Sequence, residues 1–192
     1  MHDAFPQWAE QNVDYVLHEG KQHGLNDQID FLLQKDYSLV LIPDAGSNDV
    51  EECKILNKNN IPIIILDHHI CDLDNPYAFV INNQPSLYSN KDLSGVGVVW
   101  QFCRYVDDLL DKNFANQYLD LVALGLDADM MSMRNYETKY LINKGLSQVK
   151  NPFISYMHEK NKFSLGEKLT PIGVAFYIAP FVNAIVRSGT LE

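Results

Sequence analysis

"IPIIILDHHICDLDNP", residues 61–76, decides how this chain is read. Residues 61–66 are apolar throughout and predict a buried strand, yet the next three, Asp67, His68 and His69, all carry titratable side chains. Unpaired carboxylate and imidazole groups cost on the order of several kcal/mol to desolvate. A ligand bound at that strand end is therefore expected.

Outward from this stretch the chain alternates between strand and helix patterns. Residues 13–17 (VDYVL) predict a short strand, and 25–34 (LNDQIDFLLQ) a helix with Leu25, Ile29, Leu32 and Leu33 at helical spacing. Residues 38–43 (SLVLIP) predict another strand. Residues 49–59 follow as a helix, with Asp49 near its start and Asn-Asn as its stop. A further strand is expected at 78–82 (AFVIN), after the polar turn holding Asn75 and Pro76. Apolar strands separated by single helices predict an α/β fold with a mostly parallel sheet covered by helices on both faces. From Gly95 onward the pattern is helical, over 98–110, 115–124, 138–149, 152–158 and 171–184. One domain is expected, strand-rich over 10–83 and helix-rich over 94–190, without internal repeats.

Composition narrows the function classes. With 192 residues and 46% hydrophobic content the chain can bury a real core. Its net charge of −10 and pI near 4.9 argue against coating nucleic acid through an overall field. Local sites remain open, because a bound dication reverses the local sign. Cys53, Cys71 and Cys103 are odd in number, far apart and without a C-x-x-C pair, so neither a disulfide framework nor a zinc knuckle is suggested. That usage fits a reducing cytoplasm. No apolar run approaches the roughly 18 residues of a membrane span, and the first ten residues lack signal-peptide character. A cytoplasmic protein without a membrane partner is expected.

The chemistry gathers at strand ends. Asp44 follows SLVLIP, and Asp67, His68 and His69 follow IPIIIL, so both sets fall at the carboxyl edge where open α/β sheets bind ligands. In "LDLVALGLDADMM", Asp127 and Asp129 end an apolar helix. Carboxylates there oppose the helix dipole at a cost of a few tenths to about 1 kcal/mol, which a bound cation would offset. Aspartates and histidine without a thiolate suit Mn²⁺ or Mg²⁺. Plainer roles compete. Asp44 alone could be a turn former, Asp127 a surface acid or a support for ligands, and His23, in "KQHGLN", a loop histidine or a substrate contact. His2, His18 and His158 read as structural or solvated.

Taken in order, "PDAGSND", "LDHH", "LSGVGVVWQF", "DLVALGLDADMM" and "IAPFVNAIVRSGT" resemble the DHH phosphoesterase family, and within it the RecJ-type single-strand-specific exonucleases. The resemblance runs from about His23 to the end. It implies a two-metal hydrolase, Mn²⁺- or Mg²⁺-dependent, that cleaves phosphodiester bonds in single-stranded DNA or oligonucleotides, as in DNA repair. Asp44 resembles the acid that bridges the two metals, and His68 and Asp129 resemble ligands of one of them. Asp67 and His69 complete the motif as ligand support or substrate contacts. Asn183 and Arg187 resemble the substrate-side segment, where an arginine can fork onto a phosphate, and His23 joins them as a candidate substrate contact.

The chain also departs from the family. The family's first motif, a strand followed by a D-x-D pair, normally precedes everything seen here, and a smaller second domain normally follows. The pairs Asp72/Asp74 and Asp127/Asp129 come too late to be that first motif. Residues 1–190 therefore read as a partial DHH domain, and 191–192 as a cloning-site scar. Such a piece is expected to be inactive alone, and to self-associate through a sheet edge laid bare near residues 13–17. Two other functions stay open. One is a small-molecule or oligonucleotide phosphoesterase of the same family, which the acidic charge favours. The other is a non-catalytic binding module, opposed by the joint presence of Asp44, Asp67, His68, His69 and Asp129.

Overall fold

Three short apolar runs form strands: β1 (Val40–Pro43), β2 (Ile63–Asp67) and β3 (Phe79–Asn82). They make a parallel sheet in the order β1-β2-β3, with Val40 opposite Ile63 and Ile64 opposite Phe79. The computed structural model describes residues 12–17 and 24–188, excepting the side chains of 186–188. A 3-10 turn at Asn26–Gln28 leads into α1 (Ile29–Leu32), and α2 (Val50–Lys58) carries the chain from β1 to β2. After the sheet come α3 (Gly95–Leu110), α4 (Leu119–Ala128), α5 (Tyr136–Leu146), α6 (Pro152–Lys160), α7 (Lys162–Leu165), α8 (Pro171–Tyr177) and α9 (Ala179–Ser188).

Side chains on a strand alternate between the two faces of the sheet, so an unbroken apolar run feeds two cores at once. On β2, Ile63 and Ile65 pack with Leu25, Ile29, Leu32, Cys53 and Leu56 on one side. Leu66 faces the other way, into a cluster built by Leu93 and Val98 with α4 and α5, against which Ile64 also packs. The central strand is thus covered on both faces, as the apolar pattern predicts. β1 is not, because Val40 and Ile42 are buried while Leu41 is 47% exposed.

Three sequence-based expectations change. Residues 13–17 form no strand: they are exposed, and Asp14 is held by side chains, with Lys35 Nζ at 2.6 Å and Tyr37 Oη at 2.7 Å. β-favouring residues without a ladder partner gain nothing from extension alone. The expected edge for self-association at 13–17 therefore has no strand to support it. The helix expected at 115–124 instead begins as a 3-10 turn, Ala115–Tyr118, and its α-helical part runs on to Ala128, delivering Asp129 at its end. The helix expected at 171–184 is two helices, with Ile178 as the C-cap of α8 and Pro180 in the first turn of α9, where its missing N–H is harmless.

Ile65 packs where the sheet meets α2 and is fully buried. Ile65→Ala is expected to lower unfolding stability by about 2–5 kcal/mol in urea titrations, against less than about 1 kcal/mol for the half-exposed Leu41→Ala.

Candidate metal centre

Asp67, the last residue of β2, organises the carboxyl edge of the sheet. Its buried carboxylate accepts from the backbone N–H of His68 at 2.7 Å, of His69 at 3.2 Å and of Ser47 at 3.2 Å. It also pairs with His69 Nδ1 at 2.7 Å. Burial alone would raise its pKa, but these donors together hold it below the ordinary carboxylate range. The pairing turns His69 so that Nδ1 faces Asp67, leaving Nε2 for a ligand, the usual arrangement of a metal-binding histidine and its carboxylate.

Asp44 arrives from the neighbouring strand. Its N–H donates to Leu66 O at 2.8 Å just past the end of β1, and its backbone then takes the left-handed conformation, φ 64°. That turn sends its carboxylate across to His68, whose Nε2 lies 3.2 Å from Asp44 Oδ1. Gly46, at φ 97°, completes the reversal with its Cα against Ile42 and Ile65, which brings Ser47 over Asp67. Asn82, at the end of β3, ties the same loop down by donating to Ser47 Oγ and to His69 O, each at 2.9 Å.

One ligand atom each from Asp44, His68 and His69 lies within 4.8 Å of the other two. A carboxylate and two imidazoles are a donor set that fits a divalent cation. Asp129, the C-cap of α4, stands near enough for its charge to act on His68. Burial, followed by the charge of Asp44, pushes the Asp129 carboxyl up, while His68 opposes the rise. The chain turns there through Met130 at φ 53°, with Met131 N–H returning to Leu126 O, a left-handed helix ending.

The other candidates are placed less centrally. Asp127 is buried rather than on the surface, with an amide contact from Ala175 of α8 and no hydrogen-bond partner for its Oδ2, and burial pushes its pKa up to about 6. Asn183 is exposed on α9, and Arg187 lies in the same helix, its side chain outside the described residues. His23 lies outside the described residues as well. Sequence reasoning did not single out Ser47, Asn82, Ser94 or Gly95. A Cβ added at Gly95 would lie 2.1 Å from Asp44 Oδ1, so the first residue of α3 abuts the site. The serine-glycine pair in "LSGVGVVWQF" was the available signal.

The Asp44 hydrogen bond raises the pKa of His68 above its ordinary 6.5, despite burial. The stability from this pair is complete below about pH 6.5 and lost as pH rises through the raised value. NMR titration of His68 should therefore give a midpoint above 6.5, moving down in Asp44→Asn. Asp127 acts with the opposite sign to an ion-paired acid. Its pKa in the fold, about 6, exceeds the ordinary 3.8, so stability falls as pH climbs through that window. Urea unfolding should show Asp127→Asn gaining about 1–3 kcal/mol over wild type at about pH 7.5 and nothing near pH 3.5.

The DHH family, N-terminal domain, matches residues 3–126. The chain is 42% identical over 182 residues to a protein of Bacillus subtilis (strain 168) named as an SPbeta prophage-derived single-strand DNA-specific exonuclease, YorK, covering 94% of this chain and 31% of that protein. It is 29% identical over 171 residues to the single-stranded-DNA-specific exonuclease RecJ of the same organism, covering 86% of this chain and 21% of RecJ. The chain thus spans under a third of the length of these curated relatives. Among solved structures, RecJ from Thermus thermophilus in complex with Mn²⁺ superimposes with a TM-score of 0.74 at 24% identity, over 85% of this chain and 25% of that one. A second, exonuclease RecJ bound to manganese, gives 0.73 at 25% identity over 86% and 42%. With its parallel sheet and the Asp67-His68-His69 turn at that sheet's carboxyl edge, this chain belongs to the DHH family.

Proposed function

We propose that this chain carries the metal-binding core of a manganese-dependent exonuclease acting on single-stranded DNA. The observation that carries this reading is the convergence of Asp44, His68 and His69 within 4.8 Å at the carboxyl edge of the sheet. In this reading Asp44, His68 and Asp129 are metal ligands, with Asp44 the shared acid of a two-ion centre. His69 is either a further ligand or a contact to the scissile phosphate. Relatives named as single-strand DNA-specific exonucleases support the substrate class, and manganese-bound RecJ structures support the ion.

Held by these ligands, manganese would supply a Lewis acid that polarises a phosphoryl oxygen and makes water more acidic for attack. The chain's own residues prepare that event. Asp67 fixes the His69 ring through Nδ1 and anchors the turn through two backbone amides. Asp44 holds His68 through Nε2, the nitrogen that would face the ion. Asn183 and Arg187 on α9, with His23, are the proposed contacts to the DNA backbone. At a net charge of −10, phosphate binding rests on such local cations and on the bound metal. No helix among the described residues is long and apolar enough to cross a membrane. Three free cysteines support a reducing cytoplasm as the proposed setting, and the likeness to RecJ-type exonucleases is the basis for a proposed role in DNA repair.

The test is a chimera in which this chain replaces the matching segment of YorK. Mn²⁺-dependent release of nucleotides from a labelled single-stranded oligonucleotide is expected, with duplex DNA and dinucleotides degraded more slowly. Asp44→Ala in the chimera should lower the rate about a thousand-fold or more. A folded chimera that hydrolyses DNA equally well with and without Asp44 would contradict the assignment.

A further inference from the structure

The helix that follows the sheet begins at the candidate metal centre. Ser94 is the N-cap of α3, a sixteen-residue helix, and its side chain makes no capping hydrogen bond. The residue is fully buried, and its hydroxyl has no partner in hydrogen-bonding geometry. Gly97 and Val98 donate to Ser94 O, whereas the N–H groups of Gly95 and Val96 find no acceptor among the described residues. No acidic residue of the helix itself lies in its first turn. The nearest anion is Asp44, whose Oδ1 would overlap a Cβ at Gly95.

A buried serine hydroxyl without an acceptor is uncommon, since such groups are nearly always paired. A helix N-terminus with free amides favours negative charge beside it. Both features lie at the start of α3, where Gly95 abuts the Asp44 carboxylate. Val96 also packs on Gly125, where an added Cβ would lie 2.6 Å from Val96 Cγ1, so α3 and α4 are locked together just behind the site.

We propose that Ser94 is a positioning residue for the metal centre: from the N-terminus of α3 its hydroxyl, with the adjacent free amides, orients the Asp44 carboxylate for a divalent cation. This rests on the metal-binding reading above and adds to it residues outside the DHH turn. A cation draws on some carboxylate lone pairs and leaves the others facing the protein. The Ser94 hydroxyl and the amides of Gly95 and Val96 are the donors at hand to fix them. Gly95 has a distinct part, because any side chain there displaces Asp44.

The experiment measures Mn²⁺ binding by the 192-residue chain, reading the free-ion signal in electron paramagnetic resonance during titration with MnCl₂. Ser94→Ala is expected to weaken binding about ten-fold, in the range seen when groups supporting metal ligands are removed. The thermal unfolding midpoint of the metal-free protein should meanwhile stay at the wild-type value. Gly95→Ala should weaken binding further. If Ser94→Ala fails to fold by circular dichroism, Ser94→Cys, similar in volume and a weaker donor, is measured in its place with the same expectation. Folded variants that bind Mn²⁺ as tightly as wild type would overturn the positioning role while leaving the metal centre standing. Wild-type chain that binds no Mn²⁺ would overturn both.

Discussion

A buried carboxylate at the end of a central strand is the constraint on which the site depends. Asp67 accepts hydrogen bonds from the backbones of Ser47, His68 and His69 and from the His69 ring. A charge placed there without donors would be costly to bury. With them, one group fixes the loop after β1, the turn after β2 and the orientation of a histidine. β3 adds a brace through Asn82, which reaches both Ser47 and His69. The rigidity of the parallel sheet is thereby carried into side chains that stand beyond its edge.

Around this anchor, four element ends meet. β1 delivers Asp44, β2 delivers Asp67 and His68, α4 ends at Asp129, and α3 starts at Gly95 against Asp44. The two helix ends act in opposite senses. The C-terminus of α4 disfavours a carboxylate, and burial together with the charge of Asp44 pushes Asp129 up in pKa there. The N-terminus of α3 favours one, and Asp44 lies beside it. His68 partly balances the acids, because its bond to Asp44 raises its affinity for a proton. On the proposed reading, binding a cation there would exchange that proton for a metal, so proton and metal would compete for the same two residues.

Much of this was legible in the sequence, for physical reasons. An apolar run that ends in Asp-His-His reads as a buried strand with titratable groups at its carboxyl end, and β2 is that strand. Asp44 was visible because it follows a second apolar run, and Asp129 because it ends a helix whose buried residues include Val122, Ala123, Leu124 and Leu126. What failed was context. Residues 13–17 have strand composition, but pairing depends on a neighbour that no local pattern specifies, and here Asp14 turns to Lys35 and Tyr37. Leu41 sits in an equally apolar run yet is half-exposed, since an edge strand lacks the second layer that covers β2. Gly95 was hidden because its importance lies in its approach to Asp44, which is remote from it in the chain, and Ser94 because its lack of a hydrogen-bond partner shows only in the fold.

The central claim is that Asp44 and the histidines of the Asp67-His68-His69 turn hold a divalent metal. Anomalous X-ray scattering from crystals soaked in Mn²⁺ tests it most directly, because it locates the ion independently of any activity. The account predicts a manganese peak within about 2.0 to 2.3 Å of an Asp44 carboxylate oxygen and of a ring nitrogen of His68. A fully occupied peak coordinated by other residues, with Asp44 and His68 still paired to each other at 3.2 Å, would contradict it.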